Sequence, residues 1–375
     1  MTLVELMVAL TIGLFLTMGM SAVIVAALRQ QKISASVNER DMSAVSALSQ
    51  LDYYTRSAGS GFSSAWDMGF FGCTLRSAKA NSTLIPSTLA APFKSVVSLS
   101  SPVMAPLLVE SGVGANGSDV LFVMGGNGGN ANVPRLIALA DASTLGFDNV
   151  IGLKSNDLLV VAGSGKRDCY VTQVASVTSS SGSGSGTNAI ASSLILGGDY
   201  YVAEQDNAES LVGVANTSGA IVAPIGNTEA AYPTVSLLGV GSDDALYQYD
   251  MLHTRSNSPQ AIADGVSHLF ALYGVDTNGD GKVDTWVSPA DAGWTVEEVK
   301  ADAKKIRQIM AVRVAVISRS RGVSQAKVSP EKLRIFSGLG SAFEREISLT
   351  EAQRSQRYRE MEIVIPVRNN LQIDS

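Results

Sequence analysis

The residue types best suited to chemistry lie in one short segment near residue 280. Its first, third, fifth and ninth positions carry side-chain oxygens and its sixth carries glycine, at Asp276, Asn278, Asp280, Asp284 and Gly281. Calcium takes roughly six to eight oxygen ligands, and alternate positions of a coiled loop point inward together. The seventh residue, Lys282, would contribute its backbone carbonyl. The spacing therefore predicts a calcium loop over residues 276–284.

One position of this segment departs from the calcium pattern. A bidentate acid normally stands at the twelfth position, where this sequence has Val287. Either Asp291 or water would then complete the ligand shell. The alternative is a turn rich in Asp, Asn and Gly that binds no metal. Calcium at extracellular, millimolar levels would fill even a weak site of this kind.

The sequence lacks recognisable enzyme motifs. Gly112–Gly117 fits the GxGxxG spacing, but it lies between two predicted strands rather than at the start of a helix, which predicts a hairpin loop. No GxSxG sequence occurs, and neither His253 nor His268 has a recognisable nucleophile partner. We therefore expect no enzymatic activity. A membrane-anchored extracytoplasmic enzyme or binding protein is the alternative from a different class.

The charge distribution argues against direct nucleic-acid binding. The formal net charge is −6, whereas phosphate contacts need clustered Lys and Arg. The basic residues between Lys300 and Arg307 interleave with acidic ones, which is typical of a solvated helix face.

The first 28 residues, Met1 to Leu28, contain a single charged side chain, Glu5. As a helix, a mostly apolar run of this length can cross a bilayer, since about 20 residues suffice. A carboxylate within such a segment costs roughly 2.5–3.5 kcal/mol and needs a partner. The nearest candidate is an α-amino group, from the same chain or a neighbouring subunit. A cleaved signal peptide and an ordinary membrane anchor are the alternatives.

The segment from Thr2 to Leu10 closely resembles the mature N-terminus of type IV pilins and type II secretion pseudopilins. The resemblance implies that a prepilin peptidase removes a class III leader and that Met1 is then N-methylated. It also implies that Glu5 pairs with a neighbouring subunit's N-terminus in the filament. The sequence departs from the family pattern at Met1, where Phe is usual, and at Ala22, where many major pilins have Pro.

The two cysteines are Cys73 and Cys169. If the globular part lies outside the cytoplasm, as the anchor implies, one disulfide between them is the expected pairing. Two separate buried thiols are the alternative. A zinc site is not expected, because the sequence has no CxxC pair.

These candidate sites must be positioned by one long helix and a β-rich domain. Apolar residues at helical spacing continue beyond Leu28, which predicts a helix over residues 1–57 that ends at Ser57–Gly61. Residues 62–250 then predict short strands between loops: Val120–Met124, Leu136–Leu139, Leu158–Ala162, Tyr170–Val177, Leu194–Leu196, Val235–Val240 and Leu246–Leu252. The final third predicts strands at Ile262–Tyr273, Ile309–Ser318 and Tyr358–Arg368, and a helix at Thr295–Arg307.

The block around Asp264, Tyr273 and Asp276, with the final strand from Tyr358 to Asn369, resembles the PilW group of minor pilins. The resemblance implies an α+β pilin fold, in which residues 1–57 pack on the antiparallel sheet of a globular domain over 58–375. Residues of about 62–250, which match nothing in that family, would be a β-rich insertion.

This resemblance implies a structural subunit of a type IV pilus that takes part in filament assembly or priming. The pilus would serve adhesion, twitching motility or DNA uptake. The expected partners are other pilin subunits, the prepilin peptidase and the assembly machinery. The chain would lie in the inner membrane of a Gram-negative bacterium before assembly and in the extracellular filament afterwards. A major subunit of a pilus-like filament and a type II secretion pseudopilin are the alternatives.

Overall fold

The computed structural model describes residues 3–127, 133–179, 192–204, 209–324 and 326–371. The helices in this part of the chain are α1 (Leu3–Arg56), α2 (Leu211–Ala215), α3 (Val296–Lys300), α4 (Ala303–Gln308) and α5 (Arg368–Leu371). The strands are β1 (Thr74–Lys79), β2 (Ser82–Ile85), β3 (Leu107–Glu110), β4 (Val120–Gly125), β5 (Arg135–Leu136), β6 (Leu139–Asp141), β7 (Thr144–Phe147), β8 (Asp157–Ala162), β9 (Asp168–Ser179), β10 (Ser192–Leu196), β11 (Ile221–Asn227), β12 (Thr234–Val240), β13 (Ala245–Asp250), β14 (Gln260–Asp264), β15 (Val266–Val275), β16 (Thr285–Val287), β17 (Ile309–Arg319), β18 (Lys332–Ile335), β19 (Arg345–Ser348) and β20 (Tyr358–Pro366).

Helix α1 has two halves with different surroundings. It is 54 residues long and contains no proline that would interrupt its hydrogen bonds. In its second half, buried residues recur at helical spacing and so form one face, at Ala44, Ala47, Leu48 and Leu51. The helix ends where the sequence predicts, because the chain turns at Gly59, whose φ of 79° favours glycine. The Gly59 N–H then donates to the carbonyl of Met124 at 2.8 Å.

The second half of α1 packs across a four-stranded antiparallel sheet of order β16-β15-β17-β20. Its buried face shares one core with residues of β17 and β20, among them Val314 and Ile365. Polar contacts fix the position of the helix where it meets the sheet. Arg40 Nη1 donates to the carbonyl of Tyr358 at 2.9 Å, and the Ser318 hydroxyl donates to the carbonyl of Arg40 at 2.9 Å.

The opposite face of this sheet is covered by the segment between β17 and β20, which contains the β18–β19 hairpin. Apolar side chains of the sheet and of this segment form a separate cluster, at Phe270, Leu272, Ala315, Ile317, Leu333, Ile335 and Phe336. The sheet is therefore buried on both faces, by α1 on one side and by the hairpin on the other.

A second sheet has the order β14-β13-β12-β4-β3. The prediction of one long strand at Ile262–Tyr273 is wrong, because the chain breaks at Gly265 into β14 and β15, which belong to different sheets. Gly265 has a φ of 72°, and a Cβ there would lie 2.9 Å from the Ser43 hydroxyl oxygen. Glycine therefore permits both the turn and the close approach of α1.

The buried carboxylate of Asp119 joins the second sheet to the helix-covered sheet. It accepts hydrogen bonds from the N–H of Ala271 in β15 at 2.9 Å, from the Ser111 hydroxyl at 2.8 Å and from the Gly112 N–H at 3.0 Å. Burial raises the pKa of the Asp119 carboxyl. As predicted, Gly112–Gly117 lies in the loop between two antiparallel strands, β3 and β4.

A third sheet curls on itself. It has nine strands, and its main path runs β5-β11-β8-β9-β10-β7-β6. The predicted strand Leu136–Leu139 is wrong, because this stretch splits into β5 and β6, which pair with different neighbours. Between them the Ile137 N–H donates to Ala220 and the Ala138 N–H donates to Gly146. The two ends of the path therefore meet in consecutive residues, around a small core that includes Leu159, Val161 and Leu194.

The predicted helix Thr295–Arg307 is also interrupted. It forms α3 and α4, separated at Asp302, which has extended dihedral angles and accepts a hydrogen bond from the Lys304 N–H at 2.9 Å. An Asp in this position caps a new helix rather than continuing the old one. The other predicted strands each overlap an observed strand. The described part of the chain is thus an α+β protein.

Candidate functional site

The first half of α1 stands apart from the packed part of the molecule. The large apolar side chains from Leu3 to Leu28 are exposed to solvent. The side chain of Phe15, for example, is 73% exposed. Within α1 an 18-residue window has a mean hydropathy of 2.2 and none of it is buried. By length and composition this helix can cross a membrane.

Hydroxyl groups in this apolar half donate hydrogen bonds to backbone carbonyls of α1 itself. Thr11 donates to the carbonyl of Val8 at 2.9 Å, and Thr17 donates to that of Leu14 at 2.9 Å. Ser21 donates to the carbonyl of Thr17 at 2.8 Å. Polar side chains satisfied in this way can face lipid or another helix without an unpaired donor. The spacing of apolar residues alone gives no sign of this arrangement.

Glu5 lies in the first turn of α1. A carboxylate at this position interacts favourably with the positive end of the helix dipole. Met1, the residue expected to be N-methylated, lies outside the described residues, so the structure does not place it relative to Glu5.

The predicted calcium loop connects β15 to β16 and is coiled by its own side chains. The carboxylate of Asp276 is buried and accepts hydrogen bonds from three backbone N–H groups, at Asn278 (3.1 Å), Gly279 (2.6 Å) and Gly281 (2.7 Å). Gly279 and Gly281 have φ values of 83° and 77°, which favour glycine.

The remaining oxygen-bearing residues of the loop repeat this pattern on its exposed side. Asn278 Oδ1 accepts from the Asp280 N–H at 2.8 Å, and Asp280 Oδ1 accepts from the Lys282 N–H at 2.9 Å. Asp284 returns to the start of the loop, where its carboxylate accepts from the N–H and the hydroxyl of Thr277, both at 2.8 Å. The Thr277 hydroxyl bond lowers the pKa of Asp284. Thr277 is a contributor that the ligand spacing does not reveal.

The loop fits a cation in part. A carboxylate oxygen that accepts one N–H retains acceptor capacity for a metal ion. Among the described residues, however, no group of three or more His, Cys, Asp or Glu side chains is gathered closely enough to hold a metal. Asp291, the proposed additional ligand, lies in the turn after β16 and accepts from the Ser288 N–H at 3.1 Å.

A small cavity of about 170 Å³ adjoins the buried end of this loop. Its lining combines basic, aromatic and loop residues: Trp66, Asp276, Gly279, Lys304, Arg307, Gln308 and Met310. The Arg307 guanidinium lies 5.9 Å from the centroid of the Trp66 ring. The cavity is thus continuous with the loop rather than a separate cleft.

The two histidines occupy structural positions. His268 is buried, and burial together with the nearby Arg345 guanidinium lowers its pKa to about 4. Its Nδ1 lies 3.0 Å from the Ser267 hydroxyl, which is itself buried and donates to the carbonyl of Ile317. His253 Nε2 contacts the Tyr249 hydroxyl at 2.8 Å. A buried serine of this kind offers no accessible nucleophile.

Cys73 and Cys169 are joined by a disulfide with a Cα–Cα distance of 5.7 Å. Cys73 immediately precedes β1, and Cys169 lies in β9, the parallel neighbour of β1. Both side chains are buried. The bond therefore joins the start of β1 to β9 within the curled sheet.

A comparison with family models matches residues 234–369 to PilW, described as type IV pilus-assembly protein W. The matched part contains β12 to β20 and the predicted calcium loop, residues 276–284. A search of curated proteins found no match, and a search of solved structures found none.

The family match supports a PilW-like protein of the type IV pilus, with a role in pilus assembly. It points to a structural or assembly role rather than to catalysis. The apolar first half of α1 is compatible with association with a membrane.

Proposed function

We propose that this chain is a PilW-like minor pilin, a structural subunit that takes part in assembling or priming a type IV pilus. One observation carries the proposal. A single helix presents an exposed apolar half, and its other half packs on the sheet within the region that matches the PilW family. The pilin fold, in which this helix joins the globular domain to a filament, accounts for both halves.

The exposed half of α1 would have two successive environments. From Leu3 to Leu28 the helix is about 39 Å long at 1.5 Å per residue, which exceeds the ~30 Å hydrocarbon core of a bilayer. It would anchor the chain in the inner membrane of a Gram-negative bacterium before assembly. Packing against the helices of other pilin subunits would then bury the same apolar surface in the extracellular filament.

Glu5 would set the register of this packing. Transfer of a carboxylate into an apolar filament core is costly, by roughly 2.5–3.5 kcal/mol on insertion scales. A neighbouring subunit's N-terminal amine, N-methylated at Met1 after prepilin peptidase cleavage, would neutralise it. The resulting filament would serve adhesion, twitching motility or DNA uptake.

Calcium binding by the loop is the second part of the proposal. Asp276, Asn278, Asp280 and Asp284 would provide side-chain oxygens, and Lys282 would provide its backbone carbonyl. The inward coiling of the loop by its own N–H groups supports this assignment. Bound calcium would fix the connection between β15 and β16, two strands of the sheet on which α1 packs.

The role of Glu5 is tested with Glu5→Ala and the matched variant Glu5→Asp, which keeps the charge. The amount of each variant in filaments sheared from cells is compared with its amount in the membrane fraction. We expect Glu5→Ala to be depleted from filaments at least about tenfold, since removal of one partner of a buried ion pair leaves the other charge uncompensated, which costs about 3–5 kcal/mol. Glu5→Asp should be depleted less. Wild-type incorporation of Glu5→Ala would contradict the proposed pairing.

A further inference from the structure

Strand β20 differs from the other edge strands of the described sheets. It is nine residues long, lies at the edge of the helix-covered sheet and pairs with β17 without a bulge. The other edge strands in the described part of the chain have two to five residues. Proteins usually protect long straight edges, because their unpaired N–H and C=O groups can pair with another strand.

The register fixes which backbone groups of β20 face outward. The Val367 N–H donates to the carbonyl of Met310, and the Ser320 N–H donates to that of Arg357. In an antiparallel ladder every second residue makes such bonds to its neighbour. Arg359, Met361, Ile363 and Ile365 therefore bond to β17, and the alternate residues of β20 present their N–H and C=O groups to the outside.

In the middle of β20 the outward groups have no neighbouring strand in the described sheets. At the start of β20 the carbonyl of Tyr358 accepts from Arg40 of α1, as the alternation requires. At the end, Pro366 has no N–H. Between these positions Glu360, Glu362 and Val364 have no second strand beside them in the described sheet. Val364 is 47% exposed.

The charges beside this edge select a complementary strand. Glu362 is neutralised by the Arg313 guanidinium, whose Nη2 lies 2.7 Å from Oε2, and it also accepts from the Phe336 N–H. Glu360 has no ion pair with any described residue. A residue placed opposite Glu360 is therefore favoured when it is basic, and one opposite Val364 when it is apolar or β-branched.

We propose that the edge of β20 from Glu360 to Val364 binds an extended segment of another protein by antiparallel strand addition. Three residues that each offer one N–H and one C=O supply about six main-chain hydrogen bonds to such a segment. The partner segment carries a basic residue four positions after an apolar one. A second copy of β20 fits less well. Its central register places Glu362 against Glu362, and the two adjacent registers place Glu360 against Glu362 or against Pro366, so that like charges oppose each other or one outward N–H is missing.

The test uses the full-length chain in detergent micelles and a synthetic peptide. The probe has twelve residues, alternating Thr and Val, with Lys at the position that faces Glu360 when Val faces Val364. We expect it to slow amide hydrogen exchange at Glu360, Glu362 and Val364 by at least about tenfold, because these N–H groups become hydrogen-bonded. No slowing at millimolar peptide overturns the proposal.

Two further variants separate edge pairing from nonspecific contact. Val364→Pro removes an outward N–H but no bond to β17, and it should weaken peptide binding at least about tenfold relative to the control Val364→Thr. Glu360→Lys should weaken binding of the Lys peptide and restore binding of a peptide with Glu at that position. The second variant preserves the backbone, so its result stands even if proline disturbs the strand. Equal binding by all variants overturns the proposal.

Discussion

Truncating Leu51 tests the packing of α1 on the sheet. Leu51 is fully buried in the second half of the helix, whereas Met42 on the same helix is 73% exposed. Both are unbranched at Cβ, and alanine is the best helix former. Leu51→Ala and Met42→Ala therefore have similar effects on the helix itself and differ in what they remove from the core.

The expected cost of Leu51→Ala follows from this burial. Loss of three buried carbon groups at ~0.8 kcal/mol each removes about 2.4 kcal/mol of transfer free energy. A cavity that does not fully collapse adds to this, and the measured range for such substitutions is about 2–5 kcal/mol. We expect a loss of about 3 kcal/mol in the free energy of unfolding. For Met42→Ala we expect a change within about 0.5 kcal/mol.

The assay is thermal unfolding of the full-length chain in detergent, followed by tryptophan fluorescence. The three tryptophans, Trp66, Trp286 and Trp294, all lie outside α1, so the signal reports on the globular part. A loss of about 3 kcal/mol should lower Tm by roughly 4–5 °C, because the unfolding entropy is about 2.1 cal/mol/K per residue over residues 58–375. If the two variants unfold at the same temperature, the Leu51 face of α1 does not pack on the sheet.

Two other perturbations test the predicted calcium loop and the buried His268. The double variant Asp276→Ala with Asp280→Ala should lower Tm in calcium and leave it nearly unchanged in chelator, because calcium stabilises only the form that binds it. Equal Tm values of the wild type with and without calcium would show that the loop binds no calcium. His268 has a pKa lowered to about 4 by burial, so below its ordinary pKa of about 6.5 the unfolded chain binds the extra proton. Stability should therefore fall by up to about 3 kcal/mol between pH 6.5 and pH 4. His268→Gln should remove this part of the pH dependence, and an unchanged pH profile would count against the burial of a neutral imidazole.

Elements dominated by local pattern could be predicted from the sequence. The apolar spacing before and after Leu28 predicts one long helix, and α1 runs from Leu3 to Arg56. The alternation in Tyr358–Arg368 likewise predicts β20, because one face of the strand packs in the core. In both cases the residues that set the pattern are neighbours in the chain.

Apolar spacing predicts the wrong strand and helix bounds where a single residue changes the course of the chain. Gly265 interrupts a continuous apolar stretch and sends its two parts into different sheets. Asp302 caps a second helix within a segment whose charges suit one continuous helix. Apolar periodicity describes the burial of side chains and carries little information about such local backbone turns.

The arrangement of the sheets could not be predicted for a different reason. β5 and β6 adjoin in the chain but pair with β11 and β7, respectively. Asp119 bonds to Ala271, which lies 152 residues away along the chain. Strand order and buried polar bridges of this kind depend on residues that are distant in sequence. The turn over residues 276–284 could be predicted more readily, because the residues that form it are neighbours in the chain; calcium binding there stays a prediction.

The central claim is that this chain is a minor subunit of a type IV pilus. Its most direct test is mass spectrometry of filaments sheared from intact cells, with the chain quantified and its N-terminus read. The proposed function predicts an N-methylated Met1 on a chain present at trace abundance beside another, dominant pilin. The same terminus at dominant abundance would make the chain a major subunit. Recovery of the chain only in the membrane fraction would contradict a place in the filament.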